Sequence, residues 1–349
     1  MPSAPVRPQS GRPSVRDVAA LAGVSVGTVS HVLNHPDRVA QATRERVEAA
    51  IEKLGFVRSE TARRLRRGGS SLVGVLVHDI ANPFFTEAAR GIEDRLREDE
   101  SIPLVGSTDS DAARERDLMG ILAGLDARGV IITPSASTLD NLGVLIDRSI
   151  PVVLMDHPPI SRALSTVSGD DVAGARAAID HLVDLGHRRI GLVNGPLSVR
   201  QAADRREGVL AAIVEAGLDV AEVLEEVEVV VEGRAFSADA GAAGAASLLR
   251  RPNPPSALFC ANDLMAIGAM REVRRQGLRI PDDVAIVGYD DISVASELII
   301  PLTSVHQPMR KLGGAAADLL LTAGDEVRNV VFTPELVVRE STLGRSRHA

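Results

Sequence analysis

Residues 14–34 read SVRDVAALAGVSVGTVSHVLN, and this stretch decides the fold of the N-terminal module. Two short helical patterns meet at the tight turn LAGVS, with Gly23 at its middle. Ser14 followed three residues later by Asp17 is a capping-box start for the first helix. Val15, Val18, Ala19 and Ala22 then share one face at helical spacing. Ser25 caps the second helix, whose apolar positions Val29, Val32 and Leu33 turn inward. Val26, Gly27, Ser30 and His31 are left facing outward, at and just past the helix start. A third helix, from about Ala42 to Leu54, would close the core through Val47, Ala50, Ile51 and Leu54. This is helix-turn-helix geometry, in which the first residues of the second helix reach base edges in the major groove. A small helical bundle with no DNA role is the plainer alternative; the turn chemistry and the basic flank weigh against it.

Charge supports that reading. The 349-residue chain carries a formal net charge of −8, but unevenly. Residues 1–70 hold 12 Lys/Arg against 6 Asp/Glu, and the remainder holds 27 against 41. A basic module on an acidic body predicts that only the small module meets a polyanion. The length suits two or three domains, and a hydrophobic share of 45% is that of a globular chain. The single cysteine, Cys260, rules out an intrachain disulfide and reads as a buried strand residue. Residues 1–12 are rich in Pro, Ser and Arg without an apolar core, so a disordered tail is expected rather than an export signal. No apolar run reaches membrane-spanning length. A cytoplasmic, nucleoid-associated protein with no membrane partner is therefore expected.

After the basic stretch TARRLRRGG (61–69) the texture changes to apolar strands alternating with amphipathic helices. Strands are read at 72–77, 102–107, 129–134, 151–156, 189–194, 256–261 and 283–289, with a weaker one at 226–231. Such alternation gives parallel sheets with helices on both faces, and ligands bind such sheets at the carboxyl ends of strands.

The strings DVAALAGVS, TVSHVLN, ATRERVEAAIEKLGF and ARRLR resemble the DNA-binding headpiece of the lactose-repressor/galactose-repressor family of bacterial transcription regulators. The resemblance continues almost to the C-terminus. It implies an all-α headpiece followed by an α/β body of two lobes, like the periplasmic sugar-binding proteins, with a cleft between them. The expected divisions are a headpiece at 13–58, a hinge at 59–70, a body at 71–342 and a tail at 343–349. Within the body, the N-lobe would take about 71–168 and 305–333, and the C-lobe about 169–304 and 334–342. The resemblance also implies a homodimer on a pseudo-palindromic operator, a small-molecule effector in the cleft, and no cofactor or metal.

Residue by residue, the family's base-reading positions fall on Val26, Gly27 and His31, with Thr28, Ser30 and Asn34 beside them. The family usually has arginine at His31, so the guanine-gripping fork is replaced by a single imidazole. Ala40 stands where a capping serine is usual. In the hinge, Arg63 would meet phosphate, and Leu65 matches a leucine that wedges into the minor groove. The family's Pro-Asn at the hinge start is Arg58-Ser59 here. In the body, Asp156, Arg205, Asn262, Asp290 and Gln307 match sugar-contacting positions of the family, and Phe84 and Phe236 match positions of aromatic or apolar packing. Asp79 is added as a polar residue that follows the first strand of the body, where cleft residues should sit. Carboxylates, an amide and an arginine at strand ends suit a polyhydroxylated ligand, since sugar hydroxyls both donate and accept. Asp263 and Asp291 read instead as helix caps, and His187 as a structural link.

Nothing signals catalysis. The eight histidines form no metal spacing, and neither a phosphate-binding GxxxxGK[ST] run nor a Gly-x-Ser-x-Gly elbow is present. A sugar-uptake binding protein would leave residues 14–67 unexplained, and a sugar-processing enzyme would need a reactive centre. A nucleoside- or purine-responsive regulator is the remaining alternative for the effector.

Overall fold

The computed structural model describes residues 13–56, 70–160, 163–322, 324 and 326–343. The chain divides into two compact units, Met1–Gly69 and Ser70–Ala349. The expected tail at 1–12 and the hinge through residue 69 lie outside the described residues, as does the expected tail at 343–349 except for Leu343, which ends the short helix Glu340–Leu343.

In the first unit, α1 (Val15–Ala22), α2 (Val26–Asn34) and α3 (Gln41–Leu54) form the three-helix core. Ser14 and Asp17 make the capping box in both directions: Ser14 N donates to Asp17 Oδ2 at 2.7 Å, and Asp17 N donates to Ser14 Oγ at 3.4 Å. Gly23 ends α1 in the left-handed region, at φ 65°, where a side chain would be strained. Ser25 Oγ accepts from Thr28 N at 3.0 Å and so starts α2. Val18, Val29 and Val47 are fully buried, joined by Ala19, Ala22, Val32 and Ala50. Phe56, just past α3, completes this core and was not anticipated. Ala40 precedes α3 without a side-chain cap.

The second unit holds two six-stranded sheets. The first contains β1 (Leu72–Val77), β2 (Ile102–Ser107), β3 (Gly129–Ile132), β4 (Val152–Met155), β5 (Ser165–Gly169) and β11 (Asn329–Phe332), in the order β11-β5-β4-β3-β1-β2. The second contains β6 (Ile190–Asn194), β7 (Leu224–Glu228), β8 (Ala257–Cys260), β9 (Ala285–Asp290), β10 (Thr303–His306) and β12 (Glu335–Val337), in the order β12-β10-β9-β8-β6-β7. Every pairing is parallel except β10 with β12.

Strand alternation supplies two cores to each sheet. In β1, Val73, Val75 and Val77 pack toward α4 (Pro83–Glu98), whereas Leu76 packs on the other side with Met119 and Leu122. The helix Met309–Leu321 lies against α4, with Gly313 over the carbonyl of Ala88 and Gly91 over that of Arg310. A Cβ at either glycine would collide with backbone, which fixes how closely the two helices approach. In the second sheet, Ile190, Leu192 and Val287 face one core, and Val193, Leu258 and Ile286 the other.

The lobe division expected at about residue 304 falls two residues later. Val305 and His306 pair with Tyr289 and Asp290 of β9, so they belong to the second sheet and the chain leaves it only after His306. The strand at 226–231 starts earlier, at Leu224. Asp263 and Asp291 are not helix caps. Asn262 caps the helix Asp263–Arg275, while Asp263 accepts from Ser304 Oγ at 2.6 Å and from Ile292 N at 2.8 Å. Asp291 pairs with Arg339 Nη1 at 2.6 Å and His306 Nδ1 at 3.1 Å. These carboxylates pin buried loops instead of starting helices. Cys260 is fully buried in β8, and His187 Nδ1 lies 2.9 Å from Ser256 Oγ, joining a helix end to the start of β8.

Candidate DNA-reading helix and effector cavity

On α2, Val26 is 47% exposed, and Gly27 and His31 are exposed with it. These three present one free edge at the helix start. Thr28 and Ser30 are half-buried. The Thr28 hydroxyl lies 2.9 Å from Ser25 Oγ, so it serves the cap as well as the surface. The His31 ring meets His35 edge-on, with centroids 6.3 Å apart. Arg63 and Leu65 lie outside the described residues, as does the side chain of Asn34.

The body holds a cavity of about 670 Å³ between the carboxyl ends of the two sheets. Asp79, Phe84, Asp156, Arg205, Phe236, Asn262 and Asp290 all line it. Their placement follows from strand ends. Asp79 lies just past β1, Asp156 just past β4, Asn262 just past β8, and Asp290 ends β9. Asp156 and Asp290 have positive φ, 58° and 103°, which turns the chain sharply at the sheet edge. Arg205 reaches the same place from the helix Arg200–Glu215.

Gln307 is the exception. It is fully buried behind the wall, where its Nε2 donates to Asp290 Oδ1 at 3.1 Å. It sits beside Gly169 at the crossing between sheets, where a Cβ at that glycine would collide with Gln307 Oε1. Its role is to hold Asp290, not to line the cavity.

Arg205 is the hub. Its Nε donates to Asp171 Oδ1 at 2.9 Å, its Nη1 donates to the carbonyl of Ala261, and its Nη2 lies 3.8 Å from Asp290 Oδ1. The guanidinium carbon lies 3.8 Å over the Tyr289 ring. Two carboxylates, Asp171 and Asp290, thus share one buried cation. Burial pushes Asp290 up to about 7, opposed by Arg205 and by the Gln307 amide. Burial, and then the Asp171 charge, raise Asp156 well above the ordinary carboxylate range. Asp156 Oδ2 accepts from Gln201 Nε2 at 2.9 Å, but its Oδ1 is buried without a partner.

The sequence reading missed several of these groups. Gln201, Asp171 and Tyr289 sit at ordinary helix and strand positions, and no local pattern marks them. His78 and Arg234 also line the cavity. Arg234 is carried on a turn closed by Val231 and pairs with Asp79 of the opposite lobe at 2.7 Å.

Comparison with known proteins bears on this arrangement. Residues 14–59 match the family described as bacterial regulatory proteins, lacI family, and residues 179–342 match a periplasmic binding protein-like domain. The HTH-type transcriptional repressor PurR of Photobacterium profundum is 32% identical over 333 residues, covering 94% of this chain and 98% of that protein. The chain belongs to the lacI family of bacterial regulatory proteins. As a lacI-family member it is a DNA-binding transcriptional regulator. A solved lac repressor dimer bound to operator and the anti-inducer ONPF is 30% identical, covers 95% of this chain and all of that one, and superposes with a TM-score of 0.80. The structure of a CelR–cellobiose complex is 32% identical with a TM-score of 0.69, over 95% of this chain and all of that one. Among the described residues no helix is long and apolar enough to cross a membrane.

Proposed function

We propose that this regulator is a repressor whose operator affinity is set by a small molecule, a sugar or sugar derivative, held between the two lobes. The observation that carries this reading is the convergence of seven of the expected effector-site residues on one cavity, with a buried polar atom, Asp156 Oδ1, left unpaired there. An unpaired buried polar atom costs about 1–3 kcal/mol, and a ligand hydroxyl, which donates or accepts, removes that cost. Val26, Gly27 and His31 would read bases, with Thr28, Ser30 and Asn34 alongside, while Arg63 and Leu65 would engage DNA from the hinge. The chain would act as a homodimer on a two-fold operator in the cytoplasm, and carries out no catalysis in this reading. Effector and operator affinities are then reciprocally linked.

Selection from randomised duplexes by the full chain, repeated with the effector present, tests this reading. Enrichment of a two-fold symmetric site whose yield changes with the effector is the expected result. Absence of any enriched site would reject it. A purine-responsive regulator is the second reading, favoured by Phe84 and Phe236 lining the same cavity, since aromatic rings can stack on a base.

A further inference from the structure

We propose that the cavity selects an uncharged, hydroxyl-rich ligand and rejects phosphate- or carboxylate-bearing molecules, with His78 as a specificity-determining contact at its N-lobe end. The inference rests on the effector-cavity reading above and narrows it.

Both arginines that line the cavity are already engaged. Arg205 is held by Asp171, and Arg234 by Asp79. Asp156, Asp290 and Glu232 face the same volume. An entering phosphate would therefore meet carboxylates and no uncommitted arginine or lysine among the described lining residues. Asp156 is 5% exposed, and its Oδ1, buried without a partner, is a donor while the carboxyl holds a proton and an acceptor once that proton is lost. A ligand hydroxyl donates or accepts and so meets either form, whereas ionised phosphate and carboxylate oxygens only accept and bring a second negative charge among Glu232, Asp79 and Asp290.

His78 follows β1 and supplies a second, neutral contact. Its Nδ1 lies 3.2 Å from Ser110 Oγ, and its Nε2 is buried without a partner. The ring stands edge-on to Phe85 at 5.9 Å between centroids. Burial lowers its pKa to about 4, so near neutral pH the imidazole offers a hydrogen bond and no charge. Set by the Ser110 hydroxyl, Nε2 is a donor in one tautomer and an acceptor in the other. A ligand hydroxyl satisfies either.

The test is a thermal-shift screen of the full chain against matched sets of pentoses, hexoses, disaccharides and nucleosides. Each is supplied in neutral, phosphorylated and, where available, carboxylate form. Calorimetry then follows on the best stabiliser. The neutral form should bind at least about 100-fold more tightly than its anionic counterparts, as expected when buried polar groups are left unpaired. His78→Leu should weaken that ligand about tenfold or more, while the ligand-free melting temperature holds. His78→Gln, which keeps a donor and an acceptor, should recover most of the loss. An anionic form that binds as tightly as the neutral one overturns the selectivity, and His78→Leu binding like wild type overturns the contact. Stabilisation by no member of the panel would overturn the effector-cavity reading itself, and this inference with it.

Discussion

Arg205 and Asp171 form an ion pair at 2.9 Å in which both side chains are more than nine-tenths buried. The pair joins two neighbouring helices of the second lobe behind the cavity wall, so Arg205 is a structural cation as well as a lining residue. That changes what its removal measures. Arg205→Ala strands Asp171 and Asp290 without their shared charge. Breaking a buried pair from one side costs about 3–5 kcal/mol. We expect a large fall in the unfolding midpoint, read by chemical denaturation. A wild-type midpoint would show that the buried pair contributes nothing to stability. Loss of an effector response in this variant is therefore not, by itself, proof of ligand contact.

Asp290→Asn probes the cavity more cleanly, because an amide oxygen can still accept from Gln307. The carboxyl of Asp290 titrates near 7 in the folded chain and near about 4 unfolded. A folded pKa above the unfolded value favours the folded state at low pH. That contribution is complete below the unfolded pKa and is lost as pH rises through 7. Wild-type stability should thus decline between about pH 4 and 7 more steeply than that of Asp290→Asn. Above pH 7 the variant should melt higher, by about 2–4 °C for each kcal/mol relieved in a body of this size. Melting curves across that range decide it; parallel curves would place the titration elsewhere.

Much of this was legible in the sequence, and the exceptions share a cause. β1 falls on the range read from its apolar run, because a strand buried on both faces is a continuous apolar string; β2 also falls on its range, although it is an edge strand that leaves Ile102 and Leu104 exposed. β5, STVSG, was missed because its polar residues find partners only after folding, as Thr166 does with Asn329, 163 residues away. Asp79, Asp156 and Asp290 were legible as carboxylates at strand ends. Gln307 was legible as important but not as a residue behind the wall, since that depends on which sheet β10 joins. Gln201 and Asp171 left no local signal; only the packing of two helices brings them to the site.

DNA affinity should reside in the N-terminal unit and fall steeply with salt. Residues 1–70 carry a net +6 and the rest a net −14, so the body repels DNA. A plot of log affinity against log salt should slope by about −0.9 for each phosphate neutralised. Fluorescence anisotropy at several salt concentrations measures this. Equal binding by the chain from Ser71 onward would refute it.

His31→Arg should change which operators are preferred more than it changes non-specific affinity. His31 is exposed on α2 beside Val26 and Gly27 and has only one ring to offer a base edge. Arginine adds a two-pronged fork for guanine, worth about 1–3 kcal/mol of discrimination. Site selection with both proteins should enrich a guanine at one symmetric position for the variant. An identical consensus would remove His31 from the reading set.

The two contacts that cross the cavity should contribute unequally to ligand retention. Asp79 and Arg234 pair at 2.7 Å but are 36% and 57% exposed. Exposed pairs are worth up to about 1 kcal/mol. Arg234→Gln should therefore speed ligand release by about fivefold at most, and exchanging the two charges should restore the wild-type rate. Gln201 is buried, and its Nε2 donates to the carbonyl and the carboxylate of Asp156 at 2.6 and 2.9 Å. Gln201→Leu leaves both acceptors unpaired, a penalty of about 1–3 kcal/mol each. A ligand that reaches both lobes should then leave at least tenfold faster than from wild type. Stopped-flow release of the best stabiliser from the matched panel compares the variants directly. If Arg234→Gln exceeds Gln201→Leu, the exposed pair, and not the buried amide, holds the lobes together.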